Sequence, residues 1–234
     1  MNPVLPKTMG VAVIGLLTLA GAPMATAESA PSTSGEQDDH GHDHDHDHDH
    51  DHDHDNDIYA GHFEDSQVED RSLSDWEGDW QSVYPYLQDG TLDEVFAYKA
   101  DQNDESSAAE IKQYYDSGYR TDVDRVVIEG DSVTFFADGH ESVGEYAYDG
   151  YEILTYEAGN RGVRYIFALE QGDGQGAPAF IQFSDHAIYP TDADHYHLYW
   201  GDDREALLEE VTNWPTYYPA DLNGEEIVEE MLSH

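Results

Sequence analysis

The chain has 234 residues, with 52 Asp and Glu against 9 Lys and Arg, and its formal net charge is −43 at neutral pH. This acidity excludes nucleic acid as a partner, because a phosphate backbone is bound through clusters of Lys and Arg that the chain lacks. The sequence contains no cysteine, which excludes disulfide bonds and a lipid-modified cysteine as a membrane anchor.

The first 27 residues predict an export signal. Lys7 gives the segment a positively charged N-terminal region, residues 11–20 are apolar, and Ala25-Thr26-Ala27 has the small-residue pattern of a signal-peptidase cleavage site. The apolar run is too short to span a bilayer. We therefore predict a signal peptide over residues 1–27 and a soluble periplasmic protein after its removal.

Residues 28–57 form a low-complexity segment in which Asp and His come to alternate. Its histidines are His40, His42, His44, His46, His48, His50, His52 and His54. With almost nothing apolar to bury, this tail is predicted to be disordered. Histidine-rich tracts are typical of metal binding, and the carboxylates add a field that concentrates cations. A purification tag or a solvating tail are the alternatives, but the alternation with Asp and the position behind a signal peptide favour metal capture.

Residues 58–234 have the length of one domain. They carry 40 Asp and Glu against 8 Lys and Arg, a charge of −32. Such an excess repels itself unless salt screens it, which predicts a high-salt (halophilic) habitat. The acidic surface could also concentrate cations, and the two interpretations are compatible.

Helical signals come first in this domain. Ser74 to Glu77 has the pattern of a capping box, and the helix it predicts ends at Gly90. The residues that follow the box at helical spacing are Trp76, Trp80, Val83, Tyr84 and Leu87. A second helix is predicted over residues 92–100. A second capping box, Ser107 to Glu110, predicts a third helix ending at Gly118. Core packing, rather than a ligand platform, explains the Trp and Tyr stripe.

From Tyr119 the apolar pattern changes to period two. Short strands are predicted over residues 123–129, 132–137, 142–148, 151–156, 162–169, 179–185 and 195–200, with turns at 129–131, 137–139 and 149–150. Strands at this spacing favour a small antiparallel barrel. Helices are predicted over 203–212 and 225–232, so that N- and C-terminal helices plug or flank the barrel ends.

Three histidines stand close together in the last predicted strands. His195 and His197 share one face of a strand, about 7 Å apart. A hairpin through residues 190–194 would bring His186 across to meet them. Three imidazoles on rigid strands suit a tetrahedral Zn²⁺ site with one open position, although a solvated polar strand face would also produce His-x-His. Cd²⁺, Ni²⁺, Co²⁺ and Cu²⁺ are acceptable substitutes for an imidazole site. Water, a tail histidine or a carboxylate such as Glu110 could complete it.

Several motifs resemble the ZinT (YodA) family. They are residues 73–78, 80–85, 148–151, 181–186, 195–197 and 213–219, with the closing residues 230–234. The resemblance covers most of the chain from Gly61 onward and implies a lipocalin-like (calycin) barrel with added helices. It implies that His186, His195 and His197 are the metal ligands. It also implies zinc recruitment under shortage, with metal passed to the solute-binding protein of a zinc ABC importer.

Three functions are open on the sequence: a zinc-binding and delivery protein for zinc homeostasis, a zinc hydrolase or hydratase, and a lipocalin-type carrier of a small ligand. An enzyme needs a positioned general base, and no His-Glu-x-x-His motif occurs. A carrier would not explain the tail. We therefore predict a zinc-binding protein that is not an enzyme.

Overall fold

The computed structural model describes residues 57–102, 105–156, 159–209 and 212–233. Eight antiparallel strands close into a barrel in chain order, and the last strand pairs with the first. They are β1 Gly78–Ser82, β2 Val123–Glu129, β3 Ser132–Ala137, β4 His140–Thr155, β5 Arg161–Gly172, β6 Phe180–Ser184, β7 Tyr196–Gly201 and β8 Thr216–Pro219. The barrel predicted from the spacing of short strands is therefore confirmed.

Among the described residues, the α-helices that accompany the barrel include α1 Tyr84–Asp89, α2 Asp93–Asp101, α3 Ala108–Tyr119 and α4 Gly224–Ser233. Three short 3₁₀ helices occupy Asp65–Gln67, Leu73–Trp76 and Ala206–Leu208. The predicted capping box at the start of α3 is confirmed, since Ser107 and Glu110 satisfy each other's backbone N–H groups. Within the described residues, no helix has both the length and the apolar character needed to cross a membrane.

The helix predicted from Ser74 to Gly90 is wrong in its first half. The chain makes one 3₁₀ turn at Leu73–Trp76 and then enters β1. The Ser74 hydroxyl pairs with that of Ser72 instead of capping a helix. Trp76 and Trp80 are both buried in the barrel core, so tertiary packing of the two indoles overrides the local helical signal. The predicted end at Gly90 is confirmed by its left-handed φ of 91°.

Two further local predictions are wrong. The turn expected at Asp149-Gly150 is a register shift inside the single strand β4, with Gly150 at φ 95°. The helix expected over 203–212 is reduced to the 3₁₀ turn at Ala206–Leu208, after which Glu209 is extended. The Asp203 carboxylate accepts from the backbone N–H of residues 205 and 206, which favours a short turn. The strands β1 and β8 were not predicted.

The described residues form two hydrophobic cores. One fills the barrel and is largely aromatic. The other joins the four helices to the outer face of the sheet. Neighbouring residues of β8 divide between them, because Tyr217 lies in the barrel core and Tyr218 lies in the helical core. The helices therefore pack on the outside of the barrel wall around β8.

Candidate metal centre

The three predicted ligands lie in the connection between β6 and β7 and at the start of β7. His186 lies two residues beyond the end of β6, His195 directly precedes β7, and His197 is the second residue of β7. His186 thus stands on a loop, not on a strand as predicted. The imidazole ring centroids are 5.5–6.0 Å apart.

One ligand nitrogen from each ring lies within 4.8 Å of the other two. Nitrogens that share a tetrahedral zinc ion at 2.0–2.1 Å lie roughly 3.3 Å apart, so small rotations would bring the three into one coordination sphere. In the part of the chain that the structure describes, this is the one group of three or more His, Cys, Asp or Glu that could hold an ion.

The site lies on the outer face of the barrel. His195 and His197 alternate along the chain with Tyr196 and Leu198, whose side chains fill the barrel core. The His195 ring stacks on Tyr218 of the helical core, with centroids 5.1 Å apart and planes 12° from parallel. The strand alternation that buries Tyr196 in the barrel core therefore directs both histidines outward.

His186 has an unusual backbone conformation. Its φ is +67°, in the left-handed region that non-glycine residues rarely adopt. The preceding Asp185 accepts from the backbone N–H of Ala187 at 3.3 Å, which closes a local turn around the histidine. The His186 ring stacks on Tyr59 with centroids 4.3 Å apart. Such strained residues cluster at functional sites, where the surrounding structure holds them.

The tautomer of His197 follows from its hydrogen bond. The Thr216 hydroxyl donates its proton to the backbone carbonyl of Trp214 at 3.0 Å. It must therefore accept at its 2.8 Å contact with His197, so the imidazole donates from Nδ1–H. The Nε2 lone pair of His197 is left for a metal ion.

The protonation state of His197 also suits a ligand. Burial, together with His186, His195 and the Arg164 guanidinium, holds its pKa well below the usual value of 6.5. The ring is thus neutral at neutral pH, and only the neutral imidazole coordinates metal.

Thr216, Tyr218 and Tyr59 complete the site, and sequence reasoning did not single them out. Thr216 and Tyr218 lie within the run 213–219 that carries the family resemblance, and Asn213 anchors this run by donating to three carbonyls at the end of α3. Glu110, one candidate for a fourth ligand, instead binds the Ser107 backbone N–H and hydroxyl as the cap of α3. The eight tail histidines and the predicted signal peptide lie outside the described residues.

The chain is similar to proteins described as zinc-binding or probably metal-binding. A family model described as ZinT (YodA) periplasmic lipocalin-like zinc-recruitment matches residues 54–234. The probable metal-binding protein YrpE of Bacillus subtilis (strain 168) is 67% identical over 177 residues, which cover 76% of this chain and 70% of YrpE. The zinc-binding protein AdcA of Streptococcus pyogenes serotype M1 is 51% identical over 181 residues, which cover 76% of this chain and 35% of AdcA.

Solved structures agree with the fold. The Zn(II)-bound ZinT-like domain of Streptococcus pneumoniae AdcA superimposes with a TM-score of 0.72 at 48% identity, over 75% of this chain and 97% of that domain. The Zn(II)-bound AdcA of the same species has a TM-score of 0.72 and 48% identity, but the match spans only 38% of its length. Zinc is the metal of these relatives, and the donor set of three imidazoles found here fits it. The chain belongs to the ZinT (YodA) family of lipocalin-like zinc-recruitment proteins, and its relatives include zinc-binding proteins.

Proposed function

We propose that the protein binds one Zn²⁺ tightly through His186, His195 and His197 outside the cytoplasm, in the periplasm that the family description names. The observation that carries the proposal is the convergence of three imidazole nitrogens, one of them from a ring whose other nitrogen donates to Thr216. Such a partner on the second ring nitrogen is the usual support of a zinc ligand.

The test is a zinc titration of the protein with His195 and His197 both changed to Ala. The matched control changes His140, an exposed histidine on β4 that does not belong to the three-histidine group, to Ala. We expect the double variant to lose the tight stoichiometric site and the His140→Ala protein to retain it. Full-affinity binding by the double variant would refute the assignment.

We further propose that the Asp-His tail captures zinc and delivers it to this site. The predicted tail ends at Asp57, two residues before Tyr59, whose ring stacks on His186. The nearest tail histidine, His54, is five residues from Tyr59, a reach of roughly 17 Å when extended. Tethering at this distance gives the tail histidines a high effective concentration at the site.

The direction of transfer follows from proton competition. A free imidazole has a pKa near 6.5, and neighbouring Asp carboxylates favour its charged form, so tail histidines lose metal as the pH falls toward 6. The three-histidine site is already arranged by packed elements and binds without ordering a chain. Deleting residues 38–57 and titrating zinc at two pH values should remove only a weak, pH-sensitive class of sites. Identical stoichiometry with and without the tail would contradict the capture role.

A recruited ion needs a recipient, and we propose the solute-binding protein of a zinc ABC importer, acting in zinc homeostasis under zinc limitation. In pneumococcal AdcA a ZinT-like domain is part of a longer zinc-binding chain, which supports contact between such a domain and another zinc-binding unit. Mixing the zinc-loaded protein with a metal-free solute-binding protein and counting metal on each after separation tests the transfer. Competition with Cd²⁺, Ni²⁺, Co²⁺ and Cu²⁺ in the same titration measures the metal preference.

A further inference from the structure

Arg71 is a buried cation that no motif in the sequence singled out. It precedes the 3₁₀ helix Leu73–Trp76, and its side chain has no exposed surface. The guanidinium lies over the Trp76 ring, 4.1 Å from the centroid. Burying a guanidinium costs free energy unless its N–H donors find acceptors. The acceptors of Arg71 therefore show which parts of the chain it holds in place.

Those contacts lead to two points on the loop between β6 and β7, one beside His186 and one near its middle. Arg71 Nη1 donates to the Asp185 carboxylate at 2.7 Å, directly before His186. Arg71 Nη2 donates to the backbone carbonyl of Thr191 at 2.7 Å, four residues before His195. The planar guanidinium of Arg71, whose N–H donors point in fixed directions, therefore fixes the position of Thr191 relative to the residue before His186.

Asp75 completes the attachment. Its carboxylate accepts from Arg71 Nε at 2.7 Å and from the backbone N–H of Thr191 at 3.2 Å. Its backbone carbonyl accepts from the N–H of Ala193 at 2.9 Å. Upstream, the N–H of Glu69 donates to the carbonyl of Ile188 at 2.8 Å. The segment 69–75 is thus hydrogen-bonded to the loop 185–195 at several points along the loop.

We propose that Arg71 is a positioning residue for zinc binding, acting through Asp185 and Thr191. The Asp185 carboxylate that receives Arg71 also accepts from the Ala187 N–H, and this turn keeps His186 at its left-handed φ. Without Arg71, His186 relaxes toward ordinary backbone angles and the separation of His186 from His195 is no longer set. This inference rests on the proposed zinc site.

The experiment compares Arg71→Met, Arg71→Lys and Asp75→Asn with a control of similar destabilisation. The control is Val133→Ala, a fully buried position on β3, across the barrel from β6 and β7. Zinc dissociation constants from chelator competition are measured beside metal-free melting temperatures. The visible absorption of the Co²⁺ form is recorded as well, because it reports coordination geometry, which a merely structural role would not alter.

We expect Arg71→Met to weaken zinc binding tenfold or more and to change the cobalt spectrum. Arg71→Lys should have a smaller effect of the same kind, because one ammonium replaces a three-way fork. Val133→Ala should lower the melting temperature and leave both the affinity and the spectrum unchanged. If Arg71→Met does not fold, Arg71→Lys and Asp75→Asn decide the question.

Wild-type affinity and an unchanged cobalt spectrum in the folded Arg71 and Asp75 variants would overturn the inference. A failure of the proposed function would give a different result. The unmodified protein would bind no stoichiometric zinc, or the variant with His195 and His197 changed to Ala would bind zinc equally well.

Discussion

Replacing Thr216 by Val tests whether the hydrogen bond behind His197 supports the metal site. Valine has the same branched shape and suits a strand, so the change removes little besides the hydroxyl. The His197 Nδ1–H loses an acceptor at 2.8 Å, a normal length for a well-made bond. Thr216 is only 1% exposed, so water cannot readily take its place.

Two magnitudes follow from this loss. An unsatisfied buried donor costs about 1–3 kcal/mol, which lowers the melting temperature of the metal-free protein by roughly 2–4 °C for each kcal/mol. Loss of the partner that orients a ligating histidine lowers metal affinity about 10- to 100-fold, or roughly 1.4–2.7 kcal/mol.

The assay is chelator competition for zinc, with melting of the metal-free form recorded in parallel. Thr216→Ser is the matched control, because it keeps the hydroxyl that accepts from His197 and donates to the Trp214 carbonyl, and it should retain most of the affinity. An unchanged zinc affinity in Thr216→Val would refute the argument that this bond sets the tautomer and orientation of the ligand.

Three further predictions concern the stability of the fold. Burial and the neighbouring histidines hold the pKa of His197 in the folded protein well below 6.5, the ordinary value that it has in the unfolded chain. As the pH falls below about 6.5, the unfolded chain therefore takes up a proton at this residue before the folded protein does, and the free energy of unfolding of the metal-free protein should decrease. Melts from pH 8 to 5 should show a shallower fall for His197→Gln, and equal slopes would contradict this. Zinc at 100 times its dissociation constant should add about 2.7 kcal/mol by mass action to a fold whose barrel core needs no metal, and a metal-free protein without a cooperative transition would count against it. Sodium chloride up to molar concentration should raise the melting temperature by screening the charge of −32, and a flat or falling trend would speak against the predicted high-salt habitat.

Local pattern was sufficient where each element's own residues decide its conformation. The alternation of apolar residues predicted β2 and β3 with the bounds that the structure has, because a turn at Gly130 separates the two strands. The capping box at Ser107 predicted the start of α3, since both of its hydrogen bonds lie within four residues. The helix predicted from the Ser74 capping box does not form, because Trp76 and Trp80 pack in the barrel core. No local sequence pattern predicts that packing.

The candidate site shows the same division. The residue types at positions 186, 195 and 197, and the hairpin between β6 and β7, are local features that the sequence by itself determined. Tertiary structure alone decided that the histidines face outward against Tyr218 and that Thr216 selects the tautomer of His197. It also decided that Arg71, more than a hundred residues earlier, holds the loop. These contacts join residues 19 to 120 positions apart in the chain, so they depend on how separate elements pack together rather than on any local spacing in the sequence.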